Sequence, residues 1–71
     1  MTKKEFCTWC DGVLKAIETI YGADSIEEVP NYQYACAMLT SYQCGEYNGV
    51  KASRQDVRNA INLLLNLLTI S

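Results

Sequence analysis

Ser53-Arg54-Gln55-Asp56-Val57-Arg58-Asn59-Ala60-Ile61-Asn62-Leu63-Leu64-Leu65-Asn66-Leu67-Leu68-Thr69-Ile70-Ser71 is the stretch that decides how this sequence folds. Wound as a helix, it places Val57, Ile61, Leu64, Leu65 and Leu68 on one side. Leu63, Leu67 and Ile70 carry that apolar surface round a flank, leaving Gln55, Arg58, Asn59, Asn62, Asn66 and Thr69 as the wet side. At ~100° per residue the apolar arc spans roughly 220°, about twice the stripe of an ordinary surface helix. The surplus predicts a second surface to be covered. We expect Leu63, Leu67 and Ile70 to mediate self-association, most simply as a homodimer.

Capping chemistry extends the reading to the rest of the chain. Thr2-Lys3-Lys4-Glu5 has the Ser/Thr-x-x-Glu spacing with which a hydroxyl and a carboxylate satisfy each other's backbone amides at a helix start. Met1 and Phe6 occupy the staple positions around it. Phe6, Cys10, Val13, Ile17 and Ile20 then recur at three- and four-residue steps, flanked by Cys7, Trp9, Leu14 and Tyr21, and Gly22 supplies a stop. These signals predict a helix over 3–21. Ser25-Ile26-Glu27-Glu28 repeats the box, but Pro30 cuts it to a single turn near 25–29. A second long helix follows over about 31–44, with Tyr32, Ala35, Cys36, Leu39 and Tyr42 inward, Met38 at the edge and Gly45 as its stop. Gly45-Glu46-Tyr47-Asn48-Gly49 reads as a turn, since Asn-Gly favours positive φ. Ser53-Arg54-Gln55-Asp56 opens the third helix, over about 54–70. The fold class is all-α, a single domain over 1–71 built as a compact bundle of three main helices. The wide apolar arc of the third should place it centrally.

Composition narrows the function classes. With 71 residues, 49% of them hydrophobic, and a formal charge of −2, the chain can pack a core but carries no basic excess for nucleic acid. A core of this size supplies only ~3–5 kcal/mol, so association would help to hold it. No apolar run approaches the ~20 residues of a membrane span. Met1-Thr2-Lys3-Lys4 is not followed by an apolar segment with a small-residue cleavage site, so a cytoplasmic location with reduced thiols is expected.

Catalytic chemistry is hard to assemble from these residues. There is no histidine, the commonest general base and metal ligand. Asp11 and Glu18 fall on the wet side of helix 1, and Glu27 and Glu28 sit where a helix dipole already favours acids. Neither a glycine-rich phosphate loop nor a nucleophile elbow is present. No enzyme activity, no cofactor and no metal are expected. Cys7-Thr8-Trp9-Cys10 has the spacing of half a zinc site, and a zinc or redox protein is therefore one alternative. Against it, Cys36 and Cys44 lack that spacing, and helical phase sends Cys10 into the core and Cys44 to the polar side. The alternative that ranks ahead of it is a helix-turn-helix-like regulator reading DNA with the start of helix 3, through Arg54, Gln55, Arg58 and Asn59. The long connection before helix 3 and the scarcity of basic residues oppose it.

What remains is a small protein-interaction module, acting as a regulator, inhibitor or adaptor on a larger protein. Tyrosine offers stiff contact area with a polar tip, and Tyr34 and Tyr47 fall outside the core stripe. Tyr34, Tyr47, Glu46 and Asn48, on the outer side of helix 2 and its following loop, are the expected partner contacts.

Overall fold

The computed structural model describes residues 1–22 and 24–70, and the side chains of Thr69 and Ile70 are outside that description. Three α-helices and one short 3-10 turn make up the fold: α1 (Lys3–Tyr21), the turn Ile26–Glu28, α2 (Tyr32–Cys44) and α3 (Arg54–Ile70). This is an all-α three-helix bundle.

Local chemistry explains where the helices begin. At α1 the Glu5 amide donates to the Thr2 hydroxyl at 3.1 Å and the Thr2 amide to the Glu5 carboxylate at 3.3 Å. At α3 the Asp56 amide donates to the Ser53 hydroxyl at 3.2 Å and the Ser53 amide to the Asp56 carboxylate at 3.0 Å. These bonds from Ser53 hold the Asp56 carboxyl below its ordinary range. α1 ends at Gly22, whose amide donates to the Glu18 carbonyl with φ at +80° and ψ at 156°, a conformation open only to glycine. The box at Ser25 does not form. Ser25 adopts helical dihedrals, and the Glu28 amide takes its carbonyl rather than its hydroxyl, because a three-residue turn closes through backbone alone. α2 starts at Tyr32, one residue later than its sequence suggests, since Asn31 is left-handed with φ at 67°.

Phe6, Cys10, Val13, Leu14 and Ile17 from α1 meet Ala35 and Leu39 from α2 and Val57, Ala60, Ile61 and Leu64 from α3. Val29, just past the short turn, closes the core. α3 packs against both other helices, most extensively against α2, as its wide arc requires. Ile20 does not join this core. It is 59% exposed, lying ~60° round the helix from Ile17 on the side away from Tyr21, which does pack inward.

Aromatic and cationic side chains fasten one end of the bundle. Phe6 meets Tyr42 edge-on at 5.7 Å between centroids and Trp9 at 5.9 Å. The guanidinium groups of Arg54 and Arg58 lie 5.3 and 5.6 Å from the Phe6 ring, and Lys3 sits 5.1 Å from the Tyr42 ring. Arg54 also donates to the Tyr42 hydroxyl at 3.1 Å and to the Met1 carbonyl at 2.9 Å. α1 and α3 therefore start at the same end, with α2 running the other way between them. Met1 itself stays exposed, so the amino terminus is tied down by its carbonyl rather than by the expected apolar staple.

Gly12 is an exposed residue in the middle of α1, and a Cβ built there meets nothing within 4 Å. Glycine in a helix interior costs about 0.5–1 kcal/mol relative to alanine. Gly12→Ala should therefore raise the thermal midpoint by roughly 2–8 °C, measured by circular dichroism, with no loss of helix signal.

Candidate functional site

The connection between α2 and α3 is not a loose loop. Asn48 and Gly49 hold φ at 51° and 80°, the positive pair of a two-residue type I′ turn. Tyr47 and Val50 exchange backbone hydrogen bonds across it at 2.9 and 3.0 Å. This small hairpin is bolted to α2 by Ser41. The Ser41 hydroxyl donates to the Val50 carbonyl at 2.6 Å and accepts from the Ala52 amide at 2.8 Å. Ser41 is 1% exposed, so its hydroxyl has been taken out of water and both its roles are filled by the connection.

Held there, the hairpin forms one wall of a groove along the outer face of α2. Gln33, Cys36, Ala37 and Thr40 supply the helical side, and Tyr47 and Asn48 the other. The groove holds about 400 Å³, within the ~300–1,000 Å³ usual for ligand sites. No acidic or basic side chain lines it. Cys36 lies at its inner edge, where burial pushes the thiol pKa up despite a hydrogen bond with Tyr32 that lowers it. Asp11 and Glu18 act on Cys36 in the same raising direction, so Cys36 faces α1 as well as the groove. The Tyr32 phenol is raised too, by burial first and then by Cys36.

The residues expected to bind a partner divide. Tyr47 and Asn48 line the groove, whereas Tyr34 and Glu46 are exposed outside it. Tyr34, 47% exposed, stands three residues before Ala37 and seven before Ser41, on the neighbouring strip of α2. Gln33, Ala37 and Thr40 carried no sequence signal as contacts, and Cys36 read only as a core-edge thiol. These residues line a groove only because the Asn48-Gly49 turn folds the chain back beside α2.

The self-association residues stand as follows. Leu63 is 44% exposed, and Leu67 is half-buried and packed against the core. The side chain of Ile70 lies outside the described residues. Arg54 and Arg58 lean on α1, so by helical phase Leu63 and Leu67 belong to the opposite flank of α3, toward α2.

The cysteines are dispersed. Cys10 is fully buried, and desolvation, with Cys7 and Asp11 nearby, pushes its thiol up to about 11. Cys7 and Cys36 are half-buried, Cys44 is exposed, and all four are free thiols. Among the described residues, no three Cys, Asp or Glu side chains converge in a way that could hold a metal ion. Of the residues that would read DNA, Arg54 is engaged by Tyr42 and Met1, and Gln55 donates to Asn59 at 2.9 Å. No described helix is long and apolar enough to cross a membrane. Comparison with protein-family models, with curated proteins and with solved structures finds no match for this chain.

Ser41→Ala leaves a buried carbonyl and amide without their partner and should destabilise the fold by about 1–3 kcal/mol in urea unfolding. The amide resonances of 46–52 should shift while those of α1 hold still. Timed alkylation with iodoacetamide, read by mass spectrometry, should label Cys44 first and Cys10 only after denaturant is added, because thiolate character and exposure set the order.

Proposed function

We propose that this chain is a small, non-enzymatic protein-interaction module that works as a cytoplasmic homodimer, regulating, inhibiting or adapting a larger protein by covering part of its surface. The groove on the outer face of α2 carries this reading. It is built jointly by a helix and a hairpin, it contains the expected contacts Tyr47 and Asn48, and Tyr34 and Glu46 stand exposed beside it. Its chemistry favours holding over reacting. Burial raises the pKa of the one thiol that lines it, and the chain has no histidine to act as a base.

The dimer rests on Leu63 and its neighbour Leu67. A stable interface covers ~800 Å² per partner, about a sixth of the 4619 Å² this molecule exposes. Those two leucines would form the centre of such a contact and not its whole extent. The DNA alternative draws no support from helix 3, whose two arginines are spent on the Phe6 and Tyr42 rings.

Light scattering should return twice the chain mass of 8.0 kDa, and Leu63→Glu should restore 8.0 kDa with helical content unchanged. A wild-type mass of one chain at 100 μM would remove the dimer. Affinity capture from the source cells should retain a protein in stoichiometric amount that Tyr47→Ala loses. Recovery of nucleic acid alone, or of no protein, contradicts the interaction reading.

A further inference from the structure

The hairpin that joins α2 to α3 carries a reactive dipeptide, Asn48-Gly49, at its tip. Asparagine is chemically labile because the backbone nitrogen of the next residue can attack its side-chain carbonyl carbon. That attack needs a following amide free of hydrogen bonds and room beside it. Asn31, Asn48, Asn59, Asn62 and Asn66 divide sharply on both counts. The amides after Asn59, Asn62 and Asn66 lie within α3, where each donates to the carbonyl four residues back. The amide after Asn31, that of Tyr32, donates to the Val29 carbonyl at 3.3 Å. Of these following amides only that of Gly49 makes no hydrogen bond among the described residues, because Tyr47 and Val50 close the turn instead. A Cβ built at Gly49 would meet nothing within 4 Å, and both residues are exposed, so water and base reach the site.

We infer that Asn48-Gly49 is a self-modifying site, at which the chain converts its own asparagine to aspartate and isoaspartate and so releases the hairpin from its register. Hydroxide takes the Gly49 amide proton, and the nitrogen forms a bond to the Asn48 side-chain carbonyl carbon. The bond from that carbon to the side-chain nitrogen breaks and ammonia leaves, giving a five-membered succinimide. One water then opens the ring. Addition at the side-chain carbonyl restores a normal backbone with aspartate, whereas addition at the Asn48 backbone carbonyl routes the chain through the side chain, as isoaspartate. Water in and ammonia out balance the sequence, with no oxidant, cofactor or partner.

Both products carry a carboxylate, which takes the formal charge from −2 to −3. It falls in a groove that no charged side chain lines, two residues from the exposed Glu46. Aspartate tolerates the positive φ that Asn48 holds at 51°, so that product keeps the turn. Isoaspartate does not. It inserts one more backbone carbon into a turn whose two residues must match the strand twist, so the Tyr47 and Val50 bonds lose their register. The Val50 carbonyl and Ala52 amide, which the Ser41 hydroxyl grips, shift with them.

Incubation of the full chain at mildly alkaline pH tests this, with the free peptide Gly45–Lys51 as a clock. By the time the peptide has converted, isoelectric focusing should show a species with one more negative charge, and peptide mapping should place the change at Asn48. An isoaspartyl methyltransferase supplied with labelled S-adenosylmethionine should mark part of that species. The rate should rise with pH, as loss of the Gly49 amide proton requires. Asn48→Gly keeps the positive φ but has no side-chain amide, so it should gain no such species. In the isolated isoaspartyl form the amide resonances of 46–52 should shift while those of α1 hold still. An unchanged full chain, acidification at another asparagine or glutamine, or equal acidification of Asn48→Gly overturns the site. An isoaspartyl form whose Tyr47 and Val50 amides have not moved overturns the release of the hairpin.

Discussion

Ser41 carries the one buried polar side chain among the described residues, and its hydroxyl spans nine residues to the Val50 carbonyl and eleven to the Ala52 amide. The placement of the hairpin and the groove beside it hangs from those two bonds. They press the hairpin onto α2, which creates the groove, and they fix the approach of the chain to Ser53, where α3 begins. A buried donor or acceptor left unpaired costs about 1–3 kcal/mol. A core this small supplies only ~3–5 kcal/mol, so the clamp is comparable to a large share of the whole. Local turn chemistry and tertiary fastening act together here: Asn48-Gly49 lets the chain reverse, and Ser41 determines where the reversed chain lies.

A second cluster at this end of the bundle is built on Phe6. Its ring is buried, met by Tyr42 edge-on and overlaid by two arginines from the first turns of α3. A cation held against an aromatic face contributes ~0.5–1 kcal/mol at an exposed site and more as water is excluded. Arg54 adds hydrogen bonds to Tyr42 and Met1, joining all three chain segments at that end. Three of the six basic side chains, Lys3, Arg54 and Arg58, rest against aromatic rings at this end of the bundle.

Most of the fold was legible because its signals are local. The Thr2–Glu5 and Ser53–Asp56 boxes mark two helix starts, and apolar spacing marks the faces that meet. Failures came where tertiary neighbours decide. Ser25 has the spacing of a cap, yet Pro30 and a three-residue turn leave no room for one. Ile20 has the spacing of a core residue, yet among the described residues it stays 59% exposed near the end of α1. The candidate groove was legible only in outline: Tyr47 and Asn48 stood out in the sequence, whereas Gln33, Cys36, Ala37 and Thr40 did not, because they line a groove only once the hairpin is laid beside them. Ser41 was hidden by its own type, since a helical serine ordinarily faces water and its burial in the last turn of α2 goes with bonds made nine and eleven residues away.

The geometry also revises how much apolar surface α3 has to spare. A helix in a three-helix bundle touches two neighbours, and together these cover more of its circumference than one partner could. Arg58 leans toward α1 and Leu67 packs on the flank toward α2, with Leu65 and Leu68 half-buried between core and solvent. The roughly 220° arc therefore shrinks, among the described residues, to Leu63 and the outer edges of its neighbours. One leucine cannot by itself offset the translational and rotational entropy lost on association, estimated at 4–15 kcal/mol. The surface that α3 leaves uncovered is therefore narrower than its sequence pattern implies, because its two neighbours in the bundle take up most of the arc.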